Sequence, residues 1–140
     1  MTYDDELTWD SICSGDLTGV FHLGTSGAQH IVRMTRPRTI MELANALALN
    51  RPGAHDALGR YVGGLMGQNG YSHTDALAQT YGTLLYQEQL TRLLHIHASM
   101  SMAEAELTCR LYRKNKLVDL SDIEHVERVL GYPSFGAVSF

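Results

Sequence analysis

No stretch of this chain approaches the roughly 18 consecutive apolar residues that a membrane-crossing helix needs. Its opening, M-T-Y-D-D-E-L, has neither the basic nor the apolar region of a secretory signal. Membrane spanning and secretion are therefore excluded, and a cytoplasmic setting is expected. Cysteine is scarce as well: Cys13 and Cys109 lie far apart, with no C-x-x-C and no zinc-finger spacing of Cys and His. Neither a disulfide framework nor a zinc site is indicated. Positive charge is in deficit, 11 Lys and Arg against 15 Asp and Glu for a net of -4, which argues against coating nucleic acid by bulk charge and leaves room only for a local basic patch. There is no G-x-x-x-x-G-K-[ST] loop and no D-x-D pair on a strand, so neither a phosphate-cradling loop nor a site for paired divalent ions is visible. The seven histidines are scattered; His95 and His97, two apart, point to different sides of a helix rather than at one metal. No metal site is expected, and repeats and low-complexity tracts are absent.

What is present suffices for one compact domain over residues 1–140, with 44% hydrophobic residues to build its core. Asp4 to Cys13 reads as a short helix with Asp5 and Glu6 in its first turn and Gly15 as its stop, anchored by Leu7 and Ile12 with Trp9 available to pack. Leu17 to Leu23, β-prone in Val20 and Phe21 and set between Gly15 and Gly24, reads as a short strand or extended segment. Thr25 or Ser26 caps a helix to about Thr35 with Ala28, Ile31 and Val32 inward, stopped by Pro37.

Thr39 with Glu42 has capping-box spacing and opens a helix with Ile40, Leu43 and Leu47 at helical intervals, which turns at Asn50 to Gly53. Ala54, Ala57, Leu58, Tyr61, Val62 and Leu65 mark the next helix, although Gly59, Gly63 and Gly64 each cost about 1 kcal/mol there. Gly67 to Gly70 is a loop, and Ser72 with Asp75 opens a short helix to about Gln79. After the apolar segment Gly82 to Tyr86 comes a helix over Gln87 to His97, with Leu90, Leu93, Leu94 and His97 on one face and Glu88 and Arg92 as an i,i+4 pair on another. Ser101 with Glu104 opens a helix to about Lys114, and Ser121 with Glu124 opens one to Leu130. The fold class is mainly α: a compact bundle of about six to seven short helices with one or two short extended segments.

Arg110, Arg113 and Lys114, at i, i+3 and i+4, share a helix side where clustered cations suit phosphate oxygens. Met102, Ala105, Cys109 and Tyr112 form the packing stripe opposite. Cations in a last helical turn also compensate the helix dipole whatever the function. Arg33, Arg36 and Arg38 cluster around Pro37, and Arg51 stands in a turn; both places suit contact with a nucleic-acid backbone. Cys109 reads as a buried structural thiol.

The order of four segments adds a resemblance. G-D-L-T-G-V-F-H-L-G-T-S-G at 15–27, containing Gly19 and Phe21, resembles the G-D-T-x-G-V-F-Q-x-E-S-x-G stretch of bacterial C-family replicative polymerases, the alpha subunit of DNA polymerase III. R-P-R-T-I-M-E-L-A-N-A-L-A-L-N-R-P-G at 36–53 is similar to the segment ending A-L-Y-R-P-G-P. T-Y-G-T-L-L-Y-Q-E-Q-L at 80–90 is similar to T-Y-G-V-x-V-Y-Q-E-Q-V, and A-E-A-E-L-T-C-R-L-Y-R-K at 103–114 to G-E-A-D-L-L-R-R-A-M-G-K. The matches are collinear over about residues 5–116; residues 117–140 match nothing in the pattern.

The resemblance implies a fingers-like fold that closes over an incoming nucleotide, in a module that binds DNA or nucleoside triphosphate. Its last motif implies Arg110 and Lys114 as triphosphate contacts, with Arg113 on the same helix side added to them; the basic residues Arg51, Arg36 and Arg38 remain candidate contacts to DNA or nucleotide, and Tyr86, Gln87 and Glu88 mark the lineage. The sequence departs from the pattern at three places: Cys109 stands for the first of two arginines, Gly24 for a glutamate, and Ala54 for a proline. The family's palm, with its metal-binding aspartates, lies upstream of the matched region. The expectation is therefore a chain inactive alone, with Mg entering only through a separate palm-bearing partner, as in a split or phage-type polymerase. The alternative is a protein-interaction module or decoy that engages or inhibits a replisome, suggested by the lost polar positions 24 and 109. A helical domain with no polymerase connection would explain the helices but not the order of the motifs.

Overall fold

A computed structural model describes residues 5–51, 54–68, 75–113 and 121–130. The described residues form helices α1 (Glu6–Ser14), α2 (Ser26–Thr35), α3 (Ile40–Leu49) and α4 (His55–Leu65), a 3₁₀ helix (Asp75–Thr80), then α5 (Gln87–His97), α6 (Met102–Arg113) and α7 (Ser121–Leu130). The mainly α expectation holds, and none of the described helices is long and apolar enough to cross a membrane.

Local chemistry sets most boundaries. Asp5 caps α1, its carboxylate accepting from the Thr8 amide and hydroxyl. Thr25 caps α2 by accepting from the Ala28 amide at 3.3 Å. Ser101 and Glu104 close the capping box read from their spacing, the Glu104 carboxylate accepting from the Ser101 amide at 2.8 Å while Ser101 accepts from the Glu104 amide at 3.3 Å. Thr39 accepts from the Glu42 amide as expected, but the Glu42 carboxylate reaches one residue farther back, to the Arg38 amide at 2.8 Å. Gly15 ends α1 at φ 79°, and a Cβ there would lie 2.3 Å from Arg33 Nε, which donates to the Ser14 carbonyl at 3.0 Å. A left-handed turn and a guanidinium laid over it both require glycine at that position.

Two apolar clusters make the core. The first joins α2, α3 and α4 with the loop after α1, through Leu17, Leu23, Ile31, Val32, Leu49 and Tyr61. The second lies around α5, with Leu90, Leu93 and Leu94 packed against Ala105 and Cys109 of α6 and Ile123 and Val126 of α7. The 3₁₀ helix sits between, touching α3 on one side and α5 on the other.

Four expectations change. Residues 17–23 are not extended: Val20 and Leu23 amides donate back to the Leu17 and Val20 carbonyls, making consecutive turns that leave Phe21 84% exposed. Gly19 at φ 84° and His22 at φ 61° allow these turns, and they override the β preference of Val20 and Phe21. In α1 Ile12 packs on the first cluster and Trp9 is buried, as expected, but the other inward residue is Cys13, while Leu7 is 79% exposed. In α3 the inward residues are Asn45, Ala46 and Leu49, with Ile40 and Leu47 exposed, and Met102 of α6 is exposed although Ala105 and Cys109 face inward. The short helix expected up to about Gln79 is present as a 3₁₀ helix over Asp75–Thr80, while Ser72, read as its cap, lies outside the described residues.

Candidate functional site

Between the two clusters lies a polar seam built around Asn45, fully buried on α3. Its amide donates to the Tyr61 hydroxyl at 3.2 Å and to the Gln79 carbonyl at 2.9 Å, and its oxygen accepts from the Tyr86 hydroxyl at 2.7 Å. Tyr81 packs edge-on against Tyr61 with ring centroids 5.2 Å apart and donates to Glu42 at 2.7 Å. Gln89 completes the junction: its oxygen accepts from the Leu85 and Tyr86 amides at 2.8 and 3.0 Å, and its amide donates to Thr80 at 2.8 Å. The Y-Q-E-Q segment thus fixes how α5 leaves the 3₁₀ helix and meets α3. Within it Tyr86 and Gln89 carry the connection, Gln87 is half-buried and Glu88 is exposed. Glu88 and Arg92, both described, do not form the ion pair their spacing allows, whereas Arg38 pairs with Asp10 and Arg110 with Glu106.

Burial pushes the Tyr81 phenol well above its ordinary range, and its hydrogen bond to Glu42 pushes the same way. Burial alone would raise the Glu42 carboxyl, yet bonds from the Tyr81 hydroxyl and from Arg38 and Thr39 outweigh it and hold the group below its ordinary value. A carboxyl depressed on folding adds stability that is present above its unfolded value and is lost as pH falls through its folded one. Stability is therefore expected to decline as pH drops below about 4.5, and Glu42→Gln, which keeps an oxygen for Tyr81, should flatten that decline. Asp5 and Glu104, lowered first by the Thr8 and Ser101 hydroxyls respectively, leave a residual slope in the same window. Urea melts from pH 6 to pH 3 test this, and equal slopes for the two proteins would refute it.

The described candidate cations do not form one patch. Arg110 is exposed on α6 and pairs with Glu106 at 2.8 Å. Arg113 ends that helix, but its side chain and all of Lys114 lie outside what is described. Arg38 donates to Asp10 at 2.6 Å and so ties α1 to the start of α3, while Arg33 donates to the Ser14 carbonyl and ties the end of α1 to α2. Arg36 is exposed and turns the chain after α2 at φ 45°. Arg51 stands at the opposite end of α3 from Arg38, roughly 15 Å of helix away. Gly19 and Phe21 lie in the exposed turns before α2, where the Phe21 ring meets that of His22 at 3.9 Å.

Position 109 is the informative one. Cys109 is 1% exposed and accepts a weak bond from the Thr91 hydroxyl at 3.5 Å, and burial pushes its thiol upward. It faces the α5 core, whereas Arg110 faces solvent. The two positions that resemble paired arginines therefore point into different environments.

Two surface clefts border this framework. One, of about 350 Å³, lies between the start of α2, the end of α3 and the start of α4, and includes Gly27, His30, Asn50, Arg51 and His55 over an apolar floor. The other, of about 650 Å³, lies beside the 3₁₀ helix and includes Met41, Gln79, Tyr86, Glu88 and Arg92. Burial raises the Tyr86 phenol, with Arg51 acting to lower it and Glu88 to raise it, so both charges are felt at the seam. Sequence reading marked Arg51 and Glu88 but not Asn45, Gln89, His30 or His55. One signal for Asn45 was available: it is a lone polar residue in A-N-A-L-A-L, one turn before Leu49.

Among the described residues no three His, Cys, Asp or Glu side chains are grouped to hold a metal ion. The magnesium of a polymerase finds no fitting donor set here, and no step through it is assigned to these residues.

Residues 1–128 match the family described as the bacterial DNA polymerase III alpha subunit finger domain. The chain is 30% identical over 139 residues to the DNA polymerase III subunit alpha of Mycoplasma genitalium, covering 93% of this chain and 16% of that protein. It is 31% identical over 136 residues to the protein of the same name from Caulobacter vibrioides, covering 94% and 12%. With that of Halalkalibacterium halodurans it shares 33% identity over 118 residues, 81% of this chain and 11% of the relative. The chain thus spans between a tenth and a sixth of the length of these curated relatives.

Proposed function

The chain belongs to the finger-domain family of bacterial DNA polymerase III alpha subunits, and from that premise we propose that residues 1–140 act as one fingers-like module that contacts DNA or the incoming nucleoside triphosphate in the cytoplasm. Phosphoryl transfer, and the Mg it needs, would be supplied by a palm outside these residues, as in a split or phage-type polymerase. The observation that carries this reading is α6, whose inner stripe docks on α5 and leaves Arg110 presented to solvent within the family's last motif. Glu106 orients that guanidinium and, being exposed, leaves it open to an incoming phosphate. Arg113 and Lys114, three and four residues on in sequence, are assigned the same role, with Arg51, Arg36 and Arg38 as secondary contacts.

The decoy alternative loses part of its support, because a side chain at 109 points into the core and its identity reports on packing rather than on a lost phosphate contact. Arg110→Ala is expected to weaken binding to primed DNA or triphosphate roughly five- to tenfold at low salt, and for DNA to reduce the salt slope by about one ion. Fluorescence anisotropy across a salt series, with and without a palm-bearing chain, measures both. Wild-type protein that binds neither ligand in either setting would sink the proposal.

A further inference from the structure

The cleft between α2, α3 and α4, which Arg51 lines, has a specific chemistry. Arg51 leaves the end of α3, His55 opens α4 and His30 projects from the second turn of α2, so three elements bring donors to one concavity of about 350 Å³. No carboxylate is among its described lining residues. His30, Arg51 and His55 are exposed, while Ile31, Leu49 and Leu58 beneath them are buried and give an apolar floor. Gly27 admits Asn50 closely: a Cβ at 27 would lie 3.3 Å from Asn50 Oδ1. The absence of a side chain at 27 keeps the cleft open on that side.

A fixed cation, two imidazoles that each donate one N–H when neutral, and an apolar surface beside them match a phosphate attached to a sugar. We propose that this cleft is a phosphate-binding subsite, in which Arg51, His30 and His55 hold a phosphodiester group of a DNA strand with its deoxyribose against Ile31, Leu49 and Leu58. This rests on the reading that the module meets nucleic acid. It adds a second point of attachment on the α1–α4 side of the molecule, apart from the α6 cations. The first and second resembling segments, which hold Gly27 and Arg51, meet in this cleft.

The test uses the full chain, a labelled single-stranded oligothymidylate and primed duplex DNA, read by anisotropy at pH 7.5 over a salt series. Arg51→Gln is expected to weaken both roughly fivefold and lower the salt slope by about one. The double variant His30→Ala, His55→Ala, which removes both side-chain donors, should weaken them roughly threefold. Thermal melts check that these exposed substitutions leave the fold intact. If wild type binds DNA and both variants bind equally well, the subsite is refuted while the fingers reading stands; if wild type binds no DNA, both fail. Deoxynucleoside triphosphate, added as competitor, separates the two sources of phosphate. Competition that Arg51→Gln abolishes, with strand binding unaffected, keeps the phosphate chemistry and overturns the strand as its source.

Discussion

Asn45→Ala is expected to destabilise the fold by about 3 kcal/mol, seen as a lower urea midpoint with an unchanged slope and as a melting temperature reduced by roughly 10 °C. The size follows from what the truncation leaves behind rather than from the bonds it removes. The Tyr86 hydroxyl loses its acceptor and the Gln79 carbonyl and Tyr61 oxygen lose a donor, in a place where Asn45 is fully buried and Tyr61 is 1% exposed. Water that could repair one of these positions cannot satisfy all of them without opening the seam. Because Asn45 belongs to α3 and Tyr86 precedes α5, the loss falls on the junction of the two apolar clusters. Amide hydrogen exchange should accordingly speed most at Leu85 and Tyr86, whose amides are held by Gln89 beside the seam. A loss below 1 kcal/mol, or acceleration spread evenly over all helices, would show that the clusters alone hold the molecule together.

Much of this framework was legible because its helices begin with side chains whose capping geometry is local. Thr25, Thr39 and Ser101 each announce a start that depends on residues three positions away and on nothing distant. The face that α2 buries was legible for a related reason: polar residues flank Ala28, Ile31 and Val32, so one side alone is apolar. In α3 that argument fails. I-M-E-L-A-N-A-L-A-L is apolar nearly all round, and spacing cannot choose between the Ile40–Leu47 side and the Ala46–Leu49 side. The choice is made by Asn45, whose partners Tyr61, Gln79 and Tyr86 are 16, 34 and 41 residues away in sequence. A tertiary hydrogen-bond network of that kind leaves no periodic signal. The turns at 17–23 were hidden differently, since the positive φ of His22 belongs to a residue type that does not require it. The candidate site shared both fates: Arg51 and Arg110 stood out as cations in recognisable segments, whereas His30 and His55 acquire meaning only when α2 and α4 are brought together.

Cys109→Arg places at this position the residue that the family pattern carries, and it is expected to cost about 4 kcal/mol instead of restoring a phosphate contact. The helix phase is the reason. Ala105 and Cys109 lie one turn apart, 0% and 1% exposed, and pack with Leu90, Leu93, Leu94 and Val126, while Glu106 and Arg110, one position on, pair on the outer surface. A guanidinium at 109 would overfill a site shaped for a thiol and would strand a charge that the Thr91 hydroxyl alone cannot satisfy. Cys109→Ala separates volume from charge: it removes one small buried atom and should cost only about 1 kcal/mol. Chemical denaturation of the three proteins measures the contrast, and triphosphate titration of any variant that stays folded reads the functional side. A Cys109→Arg protein as stable as wild type that also binds triphosphate more tightly would mean that a long side chain at 109 escapes the core to join Arg110. The opposite result, a folded alanine variant beside a destabilised arginine variant, would establish that this chain has rebuilt the inner face of α6 around a small residue, and that Arg110 alone of the two aligned positions is open to phosphate.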